Sequence, residues 1–226
     1  MPKYRHEIKV GISLFEYLEM KSKLDLLLEL DSHCKDDGMY AIRSLYFDNV
    51  YDKALVEKNR GVNRREKFRL RYYDEDTNFI KLEKKQKVNG LCLKTSSPVS
   101  KKDVEMLLAG DYEQLENSND ELMQELLFKM KTQGLRPKNI VKYDRRAYIC
   151  EAGNVRITFD MNLRAGINPQ DFLDPNADLE VSSLNQPIIL EIKYDEFIPS
   201  FIERIVKAKQ GRVRSFSKYA QCRTYI

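Results

Sequence analysis

Alternation of polar and apolar residues at every second position is the dominant pattern along the chain. It is typical of strands whose two faces meet different surroundings. In residues 65–71, for example, basic side chains alternate with Phe68 and Leu70. The pattern predicts strands at residues 3–10, 40–48, 64–74, 77–87, 90–96, 139–149, 154–164 and 187–194.

Apolar residues at helical spacing predict helices between these strands. The first covers residues 13–30, with Ser13 as a candidate N-cap. The segment 165–186 is rich in Asn, Asp and Pro and is typical of a long loop. Further helices are predicted at 100–110, where Ser100 and Gly110 mark the two ends, at 119–134, and within 196–211 from near Pro199.

Short turns between the predicted strands favour an antiparallel sheet. Asn89-Gly90, between two alternating runs, is the strongest hairpin signal. Eight strands are enough to close a barrel around side chains or one slim ligand, and closure removes exposed edges. With no repeats, low-complexity tracts or composition break, the 226 residues predict one α+β domain spanning 1–226: a closed eight-stranded antiparallel β-barrel with helices packed on the outside.

Charge is distributed unevenly over the predicted strands. The whole chain carries a net charge of only +4, yet the polar strand faces hold twelve cations and four carboxylates. A face evolved only for solubility mixes both signs. The cations are Arg5, Lys9, Lys67, Arg69, Arg71, Lys81, Lys85, Lys87, Arg145, Arg156, Arg164 and Lys193; the carboxylates are Glu7, Glu83, Asp160 and Glu191.

Two arrangements account for these faces. In an ordinary sandwich the charges point to solvent and the apolar faces form the core. In the alternative, a barrel turned partly inside out, charges line a hydrated bore and helices cover its apolar outside. Buried like charges are costly unless compensated, so such a bore would favour a slender polyanion such as a phosphate chain, with Mg²⁺ or Mn²⁺ bridging carboxylates and phosphate oxygens.

An ordered set of short motifs carries a family resemblance over nearly the whole chain. The motifs are E-x-K (Glu7, Lys9), R-x-R (Arg69, Arg71), L-E-K-K (Glu83 to Lys85), Y-D-R-R-A (Tyr143 to Ala147), R-I-T-F-D (Arg156 to Asp160), L-E-I-K (Leu190 to Lys193) and S-F-S-K-Y (Ser215 to Tyr219). In this order they resemble the VTC (vacuolar transporter chaperone) catalytic domain, the polyphosphate polymerase branch of the CYTH-like triphosphate tunnel metalloenzymes.

The resemblance implies an eight-stranded tunnel in which a divalent metal, Mn²⁺ or Mg²⁺, helps to transfer the terminal phosphoryl group of a nucleoside triphosphate, with ATP as the expected donor, to polyphosphate. It implies catalytic cations at Lys9, Arg69, Arg71, Lys85, Arg145 and Arg156, and a catalytic metal ligand at Glu191. Further substrate contacts are implied at Tyr143, Lys94, Lys193, Ser217 and Lys218. Glu7 and Glu83 are further candidate metal ligands.

Each of these roles has a simpler structural alternative. Arg69 and Arg71 alone would suit a solvated strand face. Glu191 and Lys193 could form a structural ion pair, and Glu7 and Glu83 could orient neighbouring cations. Ser217 and Lys218 could cap a C-terminal helix. Tyr4, Tyr46, Phe47 and Tyr51 are interpreted as packing residues, and Arg43 has no assigned role.

Two positions depart from the family pattern. Hydrolytic relatives carry E-x-E-x-K on the first strand, whereas Arg5 replaces the first carboxylate here. This replacement weakens a second metal site and disfavours hydrolysis. Polymerase members often have a basic residue where Ser215 stands, and Arg212 or Arg214 is a candidate substitute.

Two other function classes stay open, namely a triphosphatase, in which water replaces the acceptor phosphate, and a non-enzymatic sensor that holds polyphosphate. Nucleic acid is not the expected partner, because RNA readers stack bases on aromatic residues among their cations. Tyr72 and Tyr73 adjoin the basic strand, but Tyr72 lies on the face opposite Arg71 and no RNP-like motif is present.

Composition points to a cytoplasmic protein. No apolar stretch approaches the roughly 20 residues of a membrane-spanning helix, and the first ten residues lack a signal-peptide core. Four scattered cysteines and two histidines, His6 and His33, form no zinc-site spacing and suit free thiols. The best-known polymerase of this kind works in a membrane complex, so any membrane partner would be another chain.

Overall fold

The computed structural model describes residues 5–181, 187–207 and 216–224. The strands are β1 (His6–Ile12), β2 (Glu29–Leu30), β3 (Tyr40–Asp48), β4 (Arg64–Tyr73), β5 (Asp76–Val88), β6 (Leu91–Val99), β7 (Arg136–Cys150), β8 (Val155–Gly166), β9 (Glu180–Val181) and β10 (Ile188–Tyr194). The helices are α1 (Leu14–Leu27), α2 (Lys53–Asn59), α3 (Lys101–Ala109), α4 (Glu121–Gln133), α5 (Ser200–Lys207) and α6 (Lys218–Thr224).

All ten strands belong to one antiparallel sheet. Eight of them follow the order β1-β10-β8-β7-β3-β4-β5-β6, while β2 adds to β7 and β9 adds to β8. These eight match the eight predicted strands, because period-two alternation is a local signal that survives into the fold. The α+β class is therefore confirmed.

Closure of the barrel is not confirmed, because no ladder joins the edge strands β1 and β6. Among the described residues, the backbone pairing between these edges is one isolated bridge, between Arg5, just before β1, and Cys92 of β6. Beyond it, the Glu7 carboxylate reaches from β1 to Lys85 on β5 at 2.7 Å, and the Phe216 ring lies against Gly11, where a Cβ would come within 2.7 Å of it. The Glu7–Lys85 pair and the Phe216 ring thus lie near the edge of the sheet at β1.

The curved sheet has an apolar outer face covered by helices. Helices α3 and α4 pack on the outside of β3 to β6 around Leu70 and Leu126, both fully buried. Helices α1 and α5 pack on the outside of β1, β8 and β10 around Leu24 and Ile202. The other face encloses a space, here called the bore, and α6 packs inside one end of it through Tyr219.

Several local signals act as the sequence predicts. Ser13 and Ser100 each form a capping box with the acidic residue three positions later. Asn89 and Gly90 both have positive φ, 49° and 86°, as a two-residue hairpin turn requires. In the described parts of the chain, no helix is long and apolar enough to cross a membrane.

Other expectations need correction at their boundaries. The first helix stops at Leu27, because Leu28 is extended and leads into β2 on β7. Helix α2 was not predicted. The expected loop 165–186 contains a 3-10 helix at Pro169–Leu173 and β9, while residues 182–186 lie outside the described residues. The helix expected within 196–211 begins at Ser200, and residues 208–215 fall outside the described ranges.

One predicted cation, Arg164, leaves the charged face. Asn162 has a φ of 55°, and the pairing of β7 with β8 shifts between Lys142 and Asp144. A bulge of this kind moves later side chains to the opposite face. Leu163 and Ala165 consequently face the bore, and Arg164 is exposed outside.

Candidate functional site

The bore contains a cavity of about 420 Å³, and half of the residues that line it are cations. Among the described residues, eleven Lys and Arg side chains and two glutamates line it. Alternate residues of β1, β4, β5, β7, β8 and β10 point inward and present most of them, while Lys94 comes from β6, Lys218 from α6 and Arg5 from just before β1. The cations are Arg5, Lys9, Lys67, Arg69, Arg71, Lys85, Lys94, Arg145, Arg156, Lys193 and Lys218; the glutamates are Glu7 and Glu191.

Glu83 holds three of these cations in place from just behind the cavity wall. Its carboxylate accepts from Arg69 Nε at 2.7 Å and from Lys94 Nζ at 2.8 Å, and it lies 3.9 Å from Arg71 Nη1. Burial would raise the pKa of this carboxyl, but Arg69, Arg71 and Lys94 outweigh burial and hold it well below its usual range. Glu83 is therefore a permanent anion that orients its neighbours.

A second cluster joins the glutamates of β1 and β10 through Lys9. Lys9 pairs with Glu7, and its Nζ lies 3.5 Å from Glu191 Oε2. Glu191 also accepts from Lys193 at 2.8 Å, and Glu7 from Lys85 at 2.7 Å. Burial opposes ionisation of Glu191, yet Lys193 and Lys9 keep its pKa well below the ordinary value. Both glutamates therefore present ionised oxygens to the cavity.

A third cluster lies where β7, β8 and α6 meet. Arg145 forms a bidentate pair with Asp160, with Nε–Oδ1 at 2.6 Å and Nη2–Oδ2 at 2.8 Å. Lys218 of α6 also pairs with Asp160, and its ammonium lies 4.6 Å from the centre of the Tyr143 ring. The Tyr143 hydroxyl accepts from Arg71 Nη2 at 3.1 Å. Two guanidinium groups and one ammonium thus converge on the middle of the cavity.

Arg156 stands apart from these clusters, in a more exposed position. Its Nη2 donates to the Tyr40 hydroxyl at 2.9 Å and contacts Asp31 Oδ2 at 2.6 Å. His33 Nδ1 lies 2.7 Å from the other Asp31 oxygen. The Arg156 side chain is 36% exposed, whereas that of Arg145 is 9% exposed. Arg156 can therefore meet a ligand before the ligand reaches the clusters inside.

Comparison with known families shows the family to which this chain belongs. The profile of the VTC domain matches residues 4–226. The chain belongs to the VTC domain family. The family resemblance read from the ordered motifs is confirmed.

Solved structures with a similar fold span nearly the whole of this VTC domain. A putative adenylyl cyclase from Hippeastrum, described as having a dominant triphosphatase activity, has 13% identity and a TM-score of 0.56, covering 97% of this chain and 95% of that one. A putative adenylate cyclase from Bacillus halodurans has 15% identity and a TM-score of 0.54, covering 95% and 94%. At such identities the likeness shows the fold alone. No curated protein matches the sequence.

The structure brings the predicted site residues of this VTC domain together. All of the cations and neutral groups predicted as catalytic or substrate-binding, with Glu7 and Glu191, line the cavity, and Glu83 contacts Arg69 and Lys94 behind it. Lys81 is exposed outside the cavity. Ser215, Arg212 and Arg214 lie outside the described residues. The roles of the assembled residues remain proposals.

Lys67 and Tyr46 line the cavity but were missed as site residues. Tyr46, interpreted from the sequence as a packing residue, accepts from Arg69 Nη1 at 2.9 Å, and Lys67 donates to Ser217 Oγ at 3.2 Å. Tyr46 lies two residues after Ser44 on the inward face of β3, and Lys67 lies two residues before Arg69 on the inward face of β4. This spacing of two was the sequence signal that could have identified both residues.

The cations around them change the acidity of both groups. Burial lowers the pKa of Lys67 to about 8, against an opposing effect of Tyr46. Burial would raise the pKa of Tyr46, but Arg69, Arg71 and Lys67 outweigh burial and lower it to about 7. Both groups therefore titrate close to neutral pH.

The carboxylates of this VTC domain suit a divalent metal only together with a phosphate ligand. Within the described ranges, no group of three or more His, Cys, Asp or Glu side chains is arranged to hold an ion. Mg²⁺, however, is commonly held by one or two carboxylates and completed by substrate phosphates. Glu191 and Glu7 fit that pattern, since both are ionised and both contact the Lys9 ammonium. The two carboxylates thus already share one cation. Glu83 fits less well because three cations already surround it.

Proposed function

We propose that this chain is a metal-dependent polyphosphate polymerase that transfers the terminal phosphoryl group of a nucleoside triphosphate, ATP being the proposed donor, to a polyphosphate chain in the bore. One observation carries the proposal: eleven cations from separate strands and α6 surround a single cavity. A site with so many convergent cations favours a ligand with several closely spaced negative charges. Membership of the VTC domain family supports a phosphate chain as that ligand.

In the proposed reaction, a terminal phosphate oxygen of the acceptor chain attacks the γ-phosphorus of the nucleotide. A new P–O bond forms while the bond from the γ-phosphorus to the β–γ bridging oxygen breaks. The bridging oxygen leaves with the nucleoside diphosphate and carries the electron pair. The attacking oxygen is already ionised at neutral pH, so the protein has to position charges and needs no proton-abstracting base.

The side chains of the cavity match that task. Arg69, Arg71 and Arg145 are held by hydrogen bonds to fixed partners, so their charges are preorganised for the transferred group. Lys9, Lys85 and Lys193 are ammonium groups beside the glutamates, and each can exchange a carboxylate for a phosphate oxygen. Tyr143 and Ser217 provide neutral hydroxyls, and Lys94, Arg156 and Lys218 complete the proposed set of phosphate contacts.

Glu191 and Glu7 are the residues we propose to hold Mg²⁺ or Mn²⁺. When bound there, such an ion would neutralise charge on phosphate oxygens. Lys9 would then have to release the two carboxylates and pair with phosphate instead, a change its long side chain permits.

A second candidate function is hydrolysis of triphosphates. The similarity in fold to the Hippeastrum protein with triphosphatase activity favours it. Hydrolysis would use the same cations, with water as the acceptor. Arg5 weighs against it, because β1 lacks the additional carboxylate of hydrolytic relatives, and the Arg5 guanidinium instead pairs with Asp195 at 2.9 Å.

Analysis of products separates the two candidates. Purified protein is incubated with ATP and Mn²⁺, and the phosphate products are resolved by chain length. Long phosphate chains are expected from a polymerase. Orthophosphate or pyrophosphate without chains would instead identify a triphosphatase, and unchanged ATP with measurable polyphosphate binding would identify a sensor.

A further inference from the structure

The inward-facing cations of β4 and β5 continue beyond the cavity. Lys67 and Lys85 lie directly opposite each other and line it. Two residues further along the same faces, Arg65 and Lys87 form the next directly opposed pair, and neither lines the cavity. A two-residue step along a strand is about 7 Å, so the second pair lies one step outside the first. The positive charge therefore extends from the bore onto the surface.

This outer pair differs from most of the cations inside because it has no carboxylate partner among the described residues. Inside, Glu83, Glu7, Glu191 and Asp160 pair with the guanidinium and ammonium groups. Outside, Arg65 donates to the carbonyl oxygen of Val62 at 2.6 Å, and neither it nor Lys87 forms an ion pair with any described residue.

Lys58 on α2 adds a third unpaired cation to this region. It also forms no ion pair with any residue that the structure describes, and it is close enough to Arg65 for burial and repulsion by that guanidinium to lower its pKa. Directly opposed like charges destabilise a sheet. The opposed pair Arg65 and Lys87 therefore costs stability, which an anionic ligand would recover. Lys58, Arg65 and Lys87 are here called the basic strip.

We propose that the basic strip binds the part of a polyphosphate chain that extends out of the cavity. The inference rests on the proposed function, since it requires a ligand longer than the triphosphate held inside. A flexible phosphate chain is slender and charged at every unit, so it can contact Lys67 and Lys85 and then Arg65 and Lys87 in turn. Single-stranded RNA fits less well, because the inward positions of this stretch of β4 and β5 contain no aromatic residue on which a base could stack.

The test compares a short and a long ligand on the full chain. Tripolyphosphate and long-chain polyphosphate are titrated against wild type, the double variant Arg65→Gln/Lys87→Gln, and the control Lys101→Gln/Lys102→Gln, which removes the same charge from two exposed positions on α3. Removing two half-exposed charge contacts with a ligand is expected to weaken its binding about tenfold. We expect that loss for the long chain only, with tripolyphosphate changed less than about twofold and the control variant unchanged.

Four results would overturn the inference, and they can be told apart. Unchanged affinity for the long chain in the Arg65/Lys87 variant, or an equal loss for both ligands, would reject the basic strip while leaving the cavity intact. Tighter binding of a single-stranded RNA than of polyphosphate, lost in the same variant, would assign the strip to nucleic acid. Failure of wild type to bind either phosphate ligand would reject the proposed function itself.

Discussion

The two faces of β4 show how this protein separates stability from binding. On the outer face Phe68, Leu70 and Tyr72 are 1%, 0% and 0% exposed and pack beneath helices. On the inner face Lys67, Arg69 and Arg71 line a cavity shared with cations of other strands. One strand thus carries an apolar surface that stabilises the fold and a charged surface that opposes it.

The contrast shows why an inward charged face is tolerated. Burying the outer residues removes apolar surface from water, worth about 1.5–3 kcal/mol for a fully buried large side chain. The inner cations lose hydration on burial. Tyr46 and Glu83 outweigh that loss at Arg69, and Asp160 outweighs it at Arg145, so the pKa of each guanidinium is raised, whereas burial dominates at Lys67 and lowers its pKa. Cations kept at a cost in stability are expected to serve a ligand.

Removing apolar volume from the outer face should have the largest effect on stability. Leu70→Ala should lower the free energy of unfolding by about 2–5 kcal/mol, because Leu70 is fully buried and leaves a cavity. Denaturant unfolding measures the loss. Leu26→Ala, on an 86% exposed position of α1, is the control and should change little. A loss below about 1 kcal/mol for Leu70→Ala would mean that the outer face is not the main source of stability.

Changing the inner face should instead remove activity. Arg69→Ala should lower turnover at least about a hundredfold, the usual effect of losing one preorganised donor to developing charge. Steady-state kinetics with ATP and Mn²⁺, on protein shown to be folded by circular dichroism, measures it. Lys81→Ala removes an exposed cation from the neighbouring strand and should leave turnover unchanged. Wild-type turnover in Arg69→Ala would reject the proposed role of Arg69.

The smallest effect expected is a dependence of phosphate binding on pH. As the pH rises from 6 to 9, Lys67 loses most of its positive charge and Tyr46 acquires a negative one, since their pKa values are about 8 and about 7. Both changes make the cavity less positive, so tripolyphosphate affinity should fall about tenfold, or roughly 1.4 kcal/mol.

The double variant Lys67→Arg/Tyr46→Phe provides the control for that pH dependence. Neither new side chain titrates in this range, so the fall should largely disappear, while titration of the ligand itself is common to both proteins. Calorimetric titration at several pH values measures the difference. An equal fall in wild type and variant would show that these two groups do not control the charge of the cavity.

Local patterns made much of the fold predictable from the sequence. Alternation in 64–74 specifies both a strand and its two faces, and Ser13 specifies where α1 begins, because both signals act over a few residues. Closure of the barrel depends on whether β1 and β6, the two edge strands of the sheet, pair with each other. The two strands are far apart along the chain, so no local sequence pattern encodes their pairing. The exposure of Arg164 follows from a left-handed residue at Asn162, for which asparagine alone is a weak signal.

The candidate site was predictable in its cations and less so in their partners. Arg69, Arg71 and Arg145 could be expected from alternation and the family motifs, whereas the contact of Tyr46 with Arg69 depends on the pairing of β3 with β4. The pairing of Lys218 with Asp160 depends on how α6 enters the bore. Contacts between distant segments are set by the tertiary fold, so spacing along the chain does not reveal them.

Thermal unfolding with tripolyphosphate tests most directly whether the bore is a phosphate site. A ligand at 100 times its Kd stabilises a protein by about 2.7 kcal/mol, which corresponds to a rise in Tm of roughly 5–11 °C for a chain of this size. We expect that rise in wild type and little of it in Arg69→Ala. No rise in wild type, or an equal rise in both proteins, would contradict a phosphate site in the bore.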